Sequence, residues 1–185
     1  VNLFVNSFTH PNPKRQEELT FCKGLNYEIF TIYELDGRPN FEDIFKMANN
    51  YIKDDEISIF ANADIYFDYT IRLAVQIKQD ECYALSPWDF SEGKIELRNR
   101  RDSQDAWIFK GKIKEINAPF PMGKRGADNR LAFELVQSGY TVRNPSKTIR
   151  AFHLHQEGGK NYDNEERTLE NVVQPPYNFL NPEYL

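Results

Sequence analysis

The chain has 185 residues and a formal net charge of −5, from 23 basic and 28 acidic side chains. That length makes one domain, or a domain with a tail, large enough to fold without a metal or disulfide staple. The acidic balance argues against non-specific nucleic-acid binding, which needs phosphate neutralisation, and a composition of 40% hydrophobic and 28% charged residues excludes a disordered chain.

VNLFVNSF has strand composition and ends in a polar Thr9-His10-Pro11-Asn12-Pro13 loop. Asn12 before Pro13 is a helix start, and a helix is predicted from Pro13 to Leu25, with Glu17 and Glu18 in its early turns. YEIFTIYE follows as a second strand. Asn40 is the next cap candidate, and Phe41, Ile44, Phe45, Ala48, Tyr51 and Ile52 then share one helical face. EISIFA reads as a strand buried on both sheet faces. A helix over Tyr69 to Lys78 and a strand at ECYALS complete a β-α-β-α-β-α-β order.

That alternation predicts an α/β fold with a Rossmann-like, mostly parallel sheet, helices on both faces and ligands at the carboxyl ends of the strands. The second half is less regular. KIELRNRR and AWIFKG are predicted strands, Asp128 to Ser138 a helix closed by Gly139, and TIRAFHLH a last strand. From Gln156 the chain is polar, with Gly158-Gly159 and Pro175-Pro176, so residues 1–155 are the expected domain and 156–185 a tail on the surface or partly disordered.

Cys22 and Cys82 are too few for a disulfide scaffold or a Cys-based zinc site, and read as two buried thiols of a reducing, cytoplasmic compartment. No apolar run reaches the ~20 residues of a membrane span, and no basic leader precedes an apolar stretch. A start at Val1 fits either a processed chain or a piece of a longer one.

Four stretches carry candidate chemistry. In Ile57 to Asp68 a buried strand ends in Asn62-Ala63-Asp64, whose side chains share one side of an extended backbone and suit a hard divalent cation; the plainer reading is a connection with Asp68 as the next cap. In Phe120 to Leu131 a glycine-containing loop presents Asp128 at a helix N-terminus, where the dipole favours the carboxylate: a candidate general base, or a cap. His153 and His155 face one side of a strand, as metal ligands or as hydrogen-bonded core histidines. Gln104 and Asp105 offer groups for sugar hydroxyls and Trp107 a ring face, unless this is a solvated turn before a core strand. Arg38 is placed to meet a phosphate, and His10 reads as structural.

The order of these stretches, "ANADIYFD", "SQDAWIF", "GADNRLAFELVQSGYTVRNPS" and "HLH", resembles a small glycosyltransferase domain of the GT-A type, closest to compact viral and bacterial domains of that superfamily. The resemblance covers Val1 to His155 and includes "GRPNFEDIF" before the central motif. It implies transfer of a sugar from a nucleotide-diphosphate sugar, with UDP favoured, to a saccharide or other hydroxyl acceptor. Asn62-Ala63-Asp64 stands where the family has Asp-x-Asp, with Asn in place of the first Asp. Asp64 is then the expected ligand of Mn2+ or Mg2+, with His153 or His155 completing the shell. Gly126-Ala127-Asp128 resembles the family's Glu-Asp base pattern with Ala for Glu, which favours inversion with Asp128 as base. Asn6, Ser7, Phe8 and Thr9 resemble the nucleotide pocket, joined by Arg38 and Asn62. Ser86 to Asp102 and Asn117 to Arg125 are the expected acceptor loops.

Two other classes compete. The Asn62 and Ala127 departures fit a nucleotide- or sugar-binding module without activity. A metal-dependent phosphoesterase or nucleotidyltransferase would use the same Asp64 and histidines.

Overall fold

The computed structural model describes residues 1–91, 93–154 and 172–185. Expectations for His155 and for the tail up to residue 171 lie outside the described residues.

The central sheet has six strands in the order β2-β1-β3-β8-β5-β9. β1 (Asn2–Ser7), β2 (Thr31–Asp36) and β3 (Ile57–Ala61) form a parallel unit with β1 in the middle. β1 and β2 are joined by α1 (Pro13–Tyr27), and β2 leads through α2 (Phe41–Ala48) to β3. α1 begins as predicted: Asn12 Oδ1 accepts the Lys14 N–H at 3.0 Å, and Pro13 takes the first turn. It runs through Tyr27, so the second strand starts four residues later than YEIF. The first turn of α1 holds no acidic residue, which leaves Glu17 and Glu18 too far along to offset the dipole. Asn40 takes the cap position of α2 without a side-chain cap bond.

Beyond β3 the chain makes β4 (Ile65–Phe67), a 3-10 helix (Tyr69–Gln76) and β5 (Glu81–Leu85). Asp68 caps the 3-10 helix, its Oδ1 accepting the Thr70 N–H at 2.9 Å. β6 (Pro87–Ser91) and β7 (Lys94–Leu97) pair antiparallel, so the expected Ser86 to Asp102 loop is largely a β-ribbon. β8 (Ala106–Lys110) then enters the central sheet between β3 and β5, antiparallel to both. The sheet is therefore mixed rather than mostly parallel. The chain returns from the ribbon without a crossover helix, and antiparallel entry needs none.

α3 (Ala127–Gln137) leads to β9 (Thr141–Arg143), parallel to β5, and β10 (Ala151–Leu154) joins a second sheet, β4-β10-β6-β7. Strand alternation sorts the core onto two faces. Phe4, Phe60, Trp107 and Phe109 pack with α2 and α3, while Leu3, Ile59, Tyr83 and Ile108 pack with the 3-10 helix, Ile149 and Ala151. Residues 172–185 lie against this body, with Leu180 in the core.

Candidate functional site

β1, β2 and β3 point their carboxyl ends the same way, and a cavity of about 320 Å3 opens there. Its wall is Val5, Asn6, Ser7 and Phe8 at the end of β1, Leu19, Lys23 and Tyr27 of α1, Ile32 and Glu34 of β2, and Ala63. Volumes from about 300 Å3 upward accommodate small ligands and cofactors. Glu34 Oε1 accepts from Lys23 Nζ at 2.6 Å and from Tyr27 Oη at 3.0 Å, and its Oε2 accepts from Ser7 Oγ at 2.9 Å. The lysine lowers the Glu34 pKa, so this carboxylate stays charged at the cavity wall. Asn6, Ser7 and Phe8 thus line a cavity as their candidate role requires. Thr9 and Arg38 are exposed and are not part of its wall.

Asn62, Ala63 and Asp64 follow β3 directly. They form a turn, not an extended strand: the Ile65 N–H donates to the Asn62 carbonyl at 3.1 Å. The two side chains therefore part company instead of sharing one side. Asn62 Nδ2 donates to Asp105 Oδ1 at 3.2 Å, and the Ala63 N–H donates to Asn6 Oδ1 at 2.8 Å. This ties the turn both to the cavity wall and to the loop before β8.

Asp64 turns inward, where its Oδ2 accepts from the Arg15 guanidinium. His153 Nε2 lies 3.1 Å from the same oxygen, and His153 Nδ1 lies 2.9 Å from Asp89 Oδ1. Arg98 Nε in turn donates to Asp89 Oδ2 at 2.8 Å. The result is a chain of alternating charge: Arg15, Asp64, His153, Asp89, Arg98. Carboxylates only accept, so an imidazole between two of them carries a proton on each nitrogen. Burial pushes the His153 pKa down, but the bonds to Asp64 and Asp89 outweigh it and raise the value to about 10. Burial pushes Asp64 up, but the bond and charge of His153 and the charge of Arg15 win, and its pKa falls to about 2.

These shifts set a pH window. His153, raised from 6.5, contributes stability that is complete below pH 6.5 and is lost as pH rises through about 10. Asp64, lowered from 3.8, contributes stability that is present above pH 3.8 and is lost as pH falls through about 2. The melting temperature is expected to fall between pH 6.5 and 10, and His153→Gln to flatten that limb. Thermal unfolding across this range checks it; an equal slope in both proteins contradicts the assignment.

A metal-binding imidazole must offer a lone pair, and here both nitrogens face carboxylates. Among the described residues, no group of three His, Cys, Asp or Glu side chains is placed to hold a metal ion. As arranged, Asp64 and His153 are partners in an ion-pair network.

On the other side of Asn62 stand two further carboxyls. Burial raises the Asp105 pKa, opposed by the His153 charge and reinforced by Asp64. Asp128 lies in the first turn of α3, whose cap position is Gly126 and not Asp128. Its pKa is raised well above 3.8 by burial and then by Asp105, against a bond from the Gln104 N–H. The sequence expectation that the helix dipole would favour the carboxylate is thus reversed by burial and a like charge. Gln104 is fully buried, with its amide Nε2 on the Arg101 carbonyl at 3.4 Å. Trp107 offers no ring face to a sugar: it is 1% exposed and packs edge-on to Phe41 within the core. A side chain in a strand between two others points at the neighbouring layer, and for Trp107 that layer is α2. His10 has the structural role expected, its Nδ1 accepting the Asn12 N–H at 3.1 Å.

Arg15, Asp89 and Arg98 were not singled out by the sequence. Arg15 had a detectable signal: it shares the spacing of Leu19, Cys22 and Asn26, the buried face of α1. Asp89 and Arg98, in and just after the ribbon, had none.

The fold and site define an α/β protein with a mixed sheet and a polar cluster at the carboxyl end of its parallel unit. No family model matches the chain, and no curated protein is significantly similar to it.

Proposed function

We propose that the protein is a glycosyltransferase that moves a sugar from a nucleotide-diphosphate sugar, with UDP favoured, to an acceptor hydroxyl with inversion. One observation carries this reading. The Asn62–Asp64 turn joins the cavity at the end of β1, through Asn6, to the Asp105 carboxyl, through Asn62, and Asp128 lies close enough to Asp105 to feel its charge.

In this reading the nucleoside occupies the cavity lined by Asn6, Ser7 and Phe8, and the acceptor lies on the Asp128 side. The acceptor oxygen attacks the anomeric carbon while Asp128 takes its proton. The bond from that carbon to the diphosphate breaks, and the nucleoside diphosphate leaves with the electron pair. A base works best with a pKa near the operating pH, and the upward shift of Asp128 moves it in that direction. Mn2+ or Mg2+ on Asp64, His153 and His155 remains an expectation from the resemblance; to bind there it would have to replace the proton on His153 Nε2, and it would supply charge for the leaving diphosphate.

A second reading, a nucleotide-binding module without turnover, is favoured by the ion-pair arrangement of Asp64 and His153. Product analysis separates the readings. Incubated with a UDP-sugar, manganese and a panel of saccharides, the protein is expected to release UDP and form a glycoside. Release of UMP or sugar phosphate would indicate phosphoester chemistry instead. Binding with no product would favour the inactive module.

A further inference from the structure

Residues 172–185 run over the two loops that meet at Asp128. The Val173 N–H donates to the Arg125 carbonyl at 3.0 Å, and the Asn178 N–H donates to the Asn129 carbonyl at 2.9 Å. These anchors flank Asp128 on both sides in sequence. Arg130 Nη1 adds bonds to the Gln174 and Pro175 carbonyls, each at 3.2 Å. Two residues further on, the Leu180 N–H donates to the Arg101 carbonyl at 3.0 Å, and the Arg101 guanidinium lies 4.9 Å from the centre of the Phe179 ring. The loop so held is the one whose Gln104 N–H bonds Asp128.

The far end is fixed to the body. Leu180 is buried, its carbonyl accepts from Asn144 Nδ2 at 3.0 Å, and Glu183 pairs with Arg143 at 2.8 Å. At the near end the approach is backbone to backbone. Gly126 has φ +81°, and a Cβ there would stand 2.6 Å from the Val173 carbonyl oxygen. Glycine is required at this position twice over, by conformation and by contact.

We infer that residues 172–185 are a strap that positions Asp128, holding the start of α3 against the Arg101–Gln104 loop. Neither loop reaches the other through regular secondary structure, and the strap hydrogen-bonds to both. The strap is thus a positioning element and not part of the reacting groups. Its catalytic meaning rests on the transferase reading, in which Asp128 is the base; its structural content does not.

The test is Gly126→Ala in the full chain, read in two ways that need neither turnover nor nucleotide. Amide exchange at Asn178 and Leu180 reports strap release. The carboxyl-carbon NMR titration of Asp128, assigned with Asp128→Asn, reports its environment. Asp105, Asp102 and the Gln104 N–H are the groups that face it. Release lets the start of α3 part from the Arg101–Gln104 loop, which opens the half-buried Asp128 carboxyl further to water and separates it from Asp105; both lower the midpoint, against the loss of the Gln104 N–H bond. Exchange at both amides is expected to rise about tenfold or more, and the Asp128 midpoint to fall by about one pH unit. Where transfer is measurable, kcat falls with little change in KM for the donor. Should Gly126→Ala fail to fold, Arg130→Ala removes the contacts to Gln174 and Pro175 with the glycine intact and is read the same way. An unchanged Asp128 midpoint beside faster exchange overturns the proposal. So does unchanged exchange at both amides.

Discussion

Asp64→Ala is expected to lower the unfolding free energy by about 3–5 kcal/mol, because it removes one partner from a buried ion-pair network. Among the described residues, Arg15, 2% exposed, keeps Glu18, at 2.5 Å, and the Leu154 carbonyl, at 2.6 Å. His153 keeps Asp89 on Nδ1 but loses the carboxylate that accepts from Nε2. The network joins α1, the turn after β3, β10 and β6, so its loss reaches both sheets. Urea unfolding at pH 6 checks the magnitude. Asp64→Asn, which keeps the shape but not the charge, should fall between wild type and alanine. A loss under about 1 kcal/mol would mean that the pairs are screened and contribute little. In the transferase reading the same substitution also abolishes manganese-dependent binding of the donor.

Asp128→Asn is expected to lower the rate of sugar transfer by about 10²–10⁴-fold, the usual contribution of a general base, with donor affinity nearly unchanged. The proton moves only as the acceptor attacks, so the loss belongs in kcat. The pH dependence has a defined sign. Asp128 must be ionised to accept a proton, and burial and Asp105 raise its pKa. Activity should therefore rise with pH through that raised value, and Asp105→Asn should move the rising limb to lower pH by removing the like charge. Near-normal turnover in Asp128→Asn removes it as the base.

The parallel half of the fold was legible because its signals are local. Asn12-Pro13, the Phe41–Ala48 face and the apolar run of β3 each declare themselves within a few residues. The strand order was not legible. Insertion of β8 between β3 and β5 depends on pairings between residues such as Ile59 and Ile108, far apart in sequence. β4 has three residues, too few for a period, and β6 opens with Pro87, which argues against a strand except at an edge or start. The candidate site divides the same way. Asn62, Asp64, Asp105, Asp128 and His153 were all visible as polar residues at element ends. Their grouping was not. A turn after Ala61 sends Asn62 towards Asp105 and Asp64 towards Arg15, a separation that alternation along a strand cannot anticipate. Trp107 packs on Phe41, which its sequence neighbours do not reveal, because a ring beside polar residues looks the same in sequence whether it faces a ligand or a helix.

The most direct test of the transferase reading is a calorimetric titration of the full chain with UDP and with GDP, each with and without manganese. Saturable binding of UDP that requires manganese is the predicted result. It would be weakened by Asn6→Ala, which removes the acceptor for the Ala63 N–H at the cavity wall. Binding of neither nucleotide under either condition would contradict the assignment of the cavity, and with it the proposed function.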